Sequence, residues 1–145
     1  MGANHQKEIE LLCKIAKPSL GYITNFGKAH LEGFGGVEGV IKGKSELYDY
    51  LRTHNQTILV NSADPVQAEK TKDYHNKITF GTPESNYSFS PLSKDHFVGL
   101  VYKETEIISN LTGRYNYDNI SAAISLGLHF GLDLSLIHIS EPTRP

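Results

Sequence analysis

Cysteine is nearly absent from this 145-residue chain, Cys13 being the only one. No disulfide can close within the chain, so a reducing, cytoplasmic setting is expected. An excess of either charge is also missing: 14 Lys+Arg against 16 Asp+Glu leave a formal charge of −2. Nucleic-acid binding needs a basic surface, and no nucleic-acid partner is expected. No apolar run approaches the roughly 20 residues that span a bilayer. The N-terminus is polar and mixed in charge, without a signal-peptide pattern, so no membrane partner is expected either. Internal repeats and low-complexity tracts are lacking. What is there is a globular composition, 39% apolar and 21% charged, in a length that suits one domain.

Hydrophobic periodicity divides the chain into alternating elements. Residues 6–16, QKEIELLCKIA, carry Ile9, Leu12, Cys13 and Ala16 on one face of a helix that Pro18 stops. SLGYITN, 19–25, reads as a buried strand and leads into a glycine-rich loop, FGKAHLEGFGG. The next helix, VEGVIKGKSELYDYL, spans 37–51. QTILVNS, 56–62, is a second strand, and PVQAEKTKDYH, 65–75, a polar and exposed helix with Pro65 near its first position. KITFG, 77–81, is a third strand. Three short runs follow, NYSFS, HFVGLVY and TEIISNL, with antiparallel character. A last helix is expected over 119–130, with Ile120, Ala123, Ile124, Gly127 and Leu128 on one face. This order predicts an α/β fold, a mostly parallel sheet flanked by helices, with antiparallel strands at one edge. Ligands of such sheets bind at the carboxyl ends of strands. Asn25 and the loop 26–36 lie at such an end.

The loop holds Gly27, Gly33, Gly35 and Gly36, which let a backbone approach a ligand and let loop amides cradle an anion. It feeds the N-terminus of the next helix, which favours negative charge. His30 and Glu32 sit in the same loop. In the helix, Val37, Val40, Ile41, Leu47, Tyr48 and Leu51 form an apolar stripe, and Lys44 falls in its middle, whereas Lys42 points off it. A lysine on such a stripe has two readings. Its stem can lie along apolar surface while the ammonium reaches water. Alternatively, burial lowers its pKa, and the neutral amine reacts with carbon dioxide to give a carbamate, an anionic pair of oxygens suited to magnesium.

Three stretches, GANHQKEI, NFGKAHLEGFGGVEGVIKGKSELY and GRYNYDNISAA, together resemble the central ATPase domain of the Mur ligases. Within the family, the likeness is greatest to the branch that adds D-alanyl-D-alanine to UDP-N-acetylmuramoyl-tripeptide. The resemblance covers residues 1–133 and implies a P-loop-type domain and an ATP- and Mg2+-dependent amide ligase of peptidoglycan synthesis. The substrates of the parent enzyme would be UDP-MurNAc-tripeptide and D-Ala-D-Ala, and that parent would be a cytoplasmic monomer. Carried over by position, His30 matches the family's magnesium-binding histidine, and Lys44 the lysine that the family carbamylates. Asn25 matches the asparagine at the nucleotide site. Asn116 and Asn119 match the adenine-contacting pair, for which helix N-capping is the plainer alternative. Glu32 and Glu46 lie close to these ligands in sequence and are expected either to be structural or to support them. The family's phosphate-binding loop, of the G-x-x-G-K-[ST] kind, does not occur in the chain. The resemblance implies that this loop, an acidic magnesium ligand and two further domains lie outside these residues, so the 145-residue chain by itself is expected to be inactive. Another Mur or folylpolyglutamate-type ligase, and a non-catalytic α/β anion-binding module, are the alternatives. Residues 134–145, LSLIHISEPTRP, resemble a translated sequencing adapter and are expected to be a non-native tail.

Overall fold

The computed structural model describes residues 1–3, 5–26 and 36–133. The chain divides into two compact units, one of Met1–Val60 with Pro65–Ile78, the other of Asn61–Asp64 with Thr79–Pro145. The expected tail and most of the glycine-rich loop, with Gly27, His30, Glu32, Gly33 and Gly35, lie outside the described residues.

In the first unit, helix α1 (Glu8–Ala16) packs against helix α2 (Val37–Thr53), and α2 packs on strand β1 (Leu20–Tyr22). Strand β2 (Thr57–Asn61) lies between β1 and β3 (Lys77–Phe80). β1 and β2 run parallel, with Leu20 opposite Thr57 and Tyr22 opposite Leu59. Helix α3 (Pro65–Thr71) starts on the proline whose missing N–H costs nothing at a first turn. Ile23, Tyr48, Leu51, Ile58, Val60 and Tyr74 form the core of this unit. Gly21 is what lets α2 come close. A Cβ built on it would stand 2.7 Å from Leu51 Cδ1 and 3.1 Å from Leu47 Cδ1. Gly36, the residue before α2, holds φ at 97°, a conformation open to glycine and strained for other residues. Its carbonyl accepts the N–H of Val40 at 3.0 Å.

In the second unit, β4 (Ser90–Lys94), β5 (Phe97–Tyr102) and β6 (Thr105–Ile108) form an antiparallel meander. Helix α4 (Tyr115–His129) packs on β5. Leu100, Ile107, Ile120 and Ile124 make the core there.

Several boundaries differ from the sequence reading. Pairing of β1 ends at Tyr22 rather than at Asn25. The run NYSFS gives only an isolated bridge, Phe80 with Tyr87, and the strand falls on Ser90–Lys94 instead. The antiparallel strands form a three-stranded sheet of their own. Helix α3 stops at Thr71, and α4 begins at Tyr115 rather than at 119. On α4, Ala123 is exposed while Ser121 and Ser125 are buried. Ser125 Oγ donates to the Ser121 carbonyl at 2.7 Å, so the burial leaves this hydroxyl satisfied.

Candidate functional site

The stripe of α2 is less apolar than its letters suggest. Val40, Tyr48 and Leu51 are buried, Leu47 is half-buried, and Val37 is exposed. Lys44 is half-buried, and Lys42 stands in solvent. The Lys44 stem runs into a cleft of 480 Å³ walled by Ile9, Gly21, Ile23, Asn25 and Leu47, with residues 1–3 alongside. Its Nζ donates to the backbone carbonyl of Asn25 at 3.0 Å. Burial lowers the Lys44 pKa from its usual 10.5. Two of the sequence-identified residues, Asn25 and Lys44, therefore meet at the carboxyl end of β1. Asn25 supplies a carbonyl to this contact. His30, the third residue expected there, lies outside the described residues, as does Glu32.

Glu46 has a definite structural task. Its two carboxylate oxygens accept the backbone N–H groups of Lys7 at 2.8 Å and Glu10 at 3.0 Å. The side chain of α2 thus satisfies open donors at the start of α1, whose own N-cap residue, Lys7, contributes no side-chain bond. Gln6 adds a second tie, donating from Nε2 to the Gly39 carbonyl at 2.8 Å. The segment that flanks the Lys44 cleft is fastened to the helix that carries Lys44.

A feature that the periodicity missed lies on α3. The helix reads as polar and exposed, yet Gln67 and Thr71 are fully buried. Gln67 Nε2 donates to the Ile23 carbonyl at 3.0 Å, and Thr71 Oγ1 donates to the Gln67 carbonyl at 2.7 Å. A fully buried amide in an otherwise polar stretch leaves no mark in a hydrophobic pattern.

In the second unit, Asn116 and Asn119 lie near the start of α4. Asn116 Nδ2 donates to the Thr112 carbonyl at 2.7 Å, and Asn119 Nδ2 donates to Asn116 Oδ1 at 3.3 Å. Arg114 occupies the N-cap position, so neither asparagine caps the helix end in the usual sense. The linked amides leave Asn119 exposed toward solvent. Next to them on the helix, Asp118 is pushed above the usual carboxylate range, first by burial and then by the charge of Asp64. Asp118 also borders a groove of 750 Å³ with Pro91, Leu92, Val98, Arg114 and Tyr115. Among the described residues, no group of three or more His, Cys, Asp or Glu side chains is placed to hold a metal, and no helix is long and apolar enough to cross a membrane.

Comparison with known proteins places the chain in a family. Residues 1–127 match the Mur ligase middle domain. A UDP-N-acetylmuramoyl-tripeptide–D-alanyl-D-alanine ligase of Haemophilus influenzae is 32% identical over 148 aligned residues, 93% of this chain and 30% of that protein. The ligase of the same name from Bacillus subtilis is 31% identical over 137 residues, 91% of this chain and 29% of that protein. A crystal structure of MurF from Acinetobacter baumannii superposes with a TM-score of 0.75 at 27% identity, over 93% of this chain and 31% of that one. The fold is also shared with MurF ligase from Thermotoga maritima in complex with ADP, with a TM-score of 0.73 at 23% identity over 92% of this chain and 32% of that one. The chain thus spans about a third of the length of the curated relatives it matches. With nearly all of its described length matched to that family domain, the chain belongs to the Mur ligase family, whose middle domain it represents.

Proposed function

We propose that this domain serves an ATP-dependent amide ligase of peptidoglycan synthesis, a cytoplasmic monomer that joins D-Ala-D-Ala to UDP-MurNAc-tripeptide. The observation that carries the reading is the Lys44 amine, drawn into the cleft at the end of β1 and held there by the Asn25 carbonyl. Burial favours the neutral amine. That amine can add to the carbon of carbon dioxide, forming a C–N bond and releasing a proton to solvent, which leaves a carbamate.

The donor set decides whether magnesium fits. An ammonium would repel a divalent cation, whereas a carbamate offers two anionic oxygens, and the Asn25 carbonyl adds a neutral one. Lys44 as its carbamate, together with His30, would hold Mg2+. Bound magnesium supplies neutralisation of the charge that gathers on a transferring phosphoryl group. In the reaction itself, the peptide carboxylate displaces ADP from the γ-phosphorus to give an acyl phosphate. The amine of D-Ala-D-Ala then displaces phosphate and loses a proton. Asn25 shapes the nucleotide end of the cleft. Asn116 and Asn119 offer amide donors and acceptors matched to the edge of adenine. Glu46 and Gln6 keep the flank of the cleft in place.

The test is Lys44→Ala in the ligase, read as acyl phosphate formation and amide synthesis. Activity falls to background and is partly restored by short-chain carboxylic acids that occupy the space of the missing carbamate. In 13C-bicarbonate, a carbamate carbonyl resonance appears in the unmutated protein and is missing from the variant. Full activity in Lys44→Ala would refute the reading.

A further inference from the structure

Burying an amide is unfavourable unless its donors and acceptors are matched. Gln67 is fully buried, on a helix whose charged residues Glu69 and Lys70 keep solvent contact, and a methionine would fill the same volume without needing a partner. Its bond to the Ile23 carbonyl reaches a particular place. Tyr22, opposite Leu59, is the last paired residue of β1. The Ile23 carbonyl therefore belongs to a segment that has left the ladder, and Gln67 takes the place of a strand partner. Two residues further on, the Asn25 carbonyl holds the Lys44 amine. The short segment Ile23–Asn25 is gripped at one end from α3 and at the other from α2. Both grips are single side-chain donors on backbone carbonyls, and both are close to 3.0 Å.

We propose that Gln67 is a positioning residue of the Lys44 cleft: its buried amide sets where the Asn25 carbonyl stands and so where the Lys44 amine is anchored. The role rests on the reading of Lys44 as the working group of the cleft. It assigns to α3, which contributes nothing to the cleft lining, the task of holding the floor on which Lys44 is placed.

The test uses the 145-residue chain without nucleotide or carbon dioxide, so its outcome is separate from that of the carbamate experiment. The first measurement is brief acylation by a water-soluble amine reagent at one pH, with Lys42 on the same helix as internal standard. Gln67→Met keeps the volume and removes the donor. Loss of one anchoring hydrogen bond raises the Lys44/Lys42 labelling ratio about fivefold. An unchanged ratio in a folded Gln67→Met chain overturns the proposal. The second measurement needs no variant. In the unmutated chain, the carbonyl 13C shifts of Ile23 and Asn25 move together with temperature below the unfolding transition, and a scalar coupling links Gln67 Nε2 to the Ile23 carbonyl carbon. Carbonyl shifts that drift independently, or an absent coupling, overturn it even where the variant does not fold.

Discussion

Replacing Glu46 by alanine removes a cap that one helix lends to another. The carboxylate is buried and accepts two backbone N–H groups, of Lys7 and Glu10. Hydrogen bonds to a charged acceptor contribute about 1.5–3 kcal/mol each when their partner has nowhere else to turn. Here Lys7 is exposed and Glu10 half-buried, so water recovers part of that loss. Loss of an ordinary helix cap, about 0.5–2 kcal/mol, sets the lower bound. A destabilisation of about 2–3 kcal/mol follows, with about 1 kcal/mol for Glu46→Gln, whose amide oxygen still accepts one of the two N–H groups. At about 3–4 °C per kcal/mol for a chain of this size, Glu46→Ala lowers the unfolding midpoint of the chain by about 6–12 °C. Hydrogen exchange locates the effect. The amides of Lys7 and Glu10 lose protection first, while those of β5 and β6, in the second unit, keep theirs. A Glu46→Ala chain within about 0.5 kcal/mol of the parent, with both amides still protected, would refute this account of the contact.

The raised pKa of Asp118, caused first by burial and then by the charge of Asp64, gives a pH prediction. The folded-state pKa of Asp118 lies above its ordinary 3.8, so the folded chain binds more protons than the unfolded one between those two values. Stability from this group is full below the unfolded value and is lost as pH rises through the folded one. Asp118→Asn therefore stabilises at neutral pH, by up to about 0.5 kcal/mol given its exposure, and the advantage fades toward pH 4, with high salt removing only the smaller part due to Asp64. Equal stabilities of the two chains at pH 7, measured by urea unfolding at low salt, would count against it. Separately, the purified 145-residue chain turns over no ATP with both peptide substrates present, as the missing G-x-x-G-K-[ST] sequence requires; release of ADP above background in a coupled assay would contradict that.

Much of the fold was legible because its signals are local. The proline that opens α3, the β-branched residues of β2 and the 3.6-residue stripe of α2 each act within a few residues. The errors fell where distant partners decide. Leu20–Asn25 is uniformly strand-like in sequence, but its ladder stops where the register with β2 stops, after Tyr22. Ser90–Lys94 contains Pro91 and three exposed polar residues, a poor strand by composition, and it pairs because β5 offers it an open edge. At the cleft, the stripe singled out Lys44 and the strand-end rule singled out Asn25, but the hydrogen bond between them was not legible in the sequence. Gln67 stayed hidden because its reason for being buried, the carbonyl of Ile23, lies 44 residues away in sequence.

The hydrogen atom at Gly21 fixes a depth. With Leu51 and Leu47 closing over it, α2 lies as low on β1 as two backbones separated by leucine methyls can come. Any larger residue at position 21 would act as a shim under the helix, lifting its axis and tilting Lys44 off its perch above the strand end. The reach of that side chain is therefore tied to an empty position in the same wall of the cleft, where any addition has to be absorbed by the buried ends of two leucines.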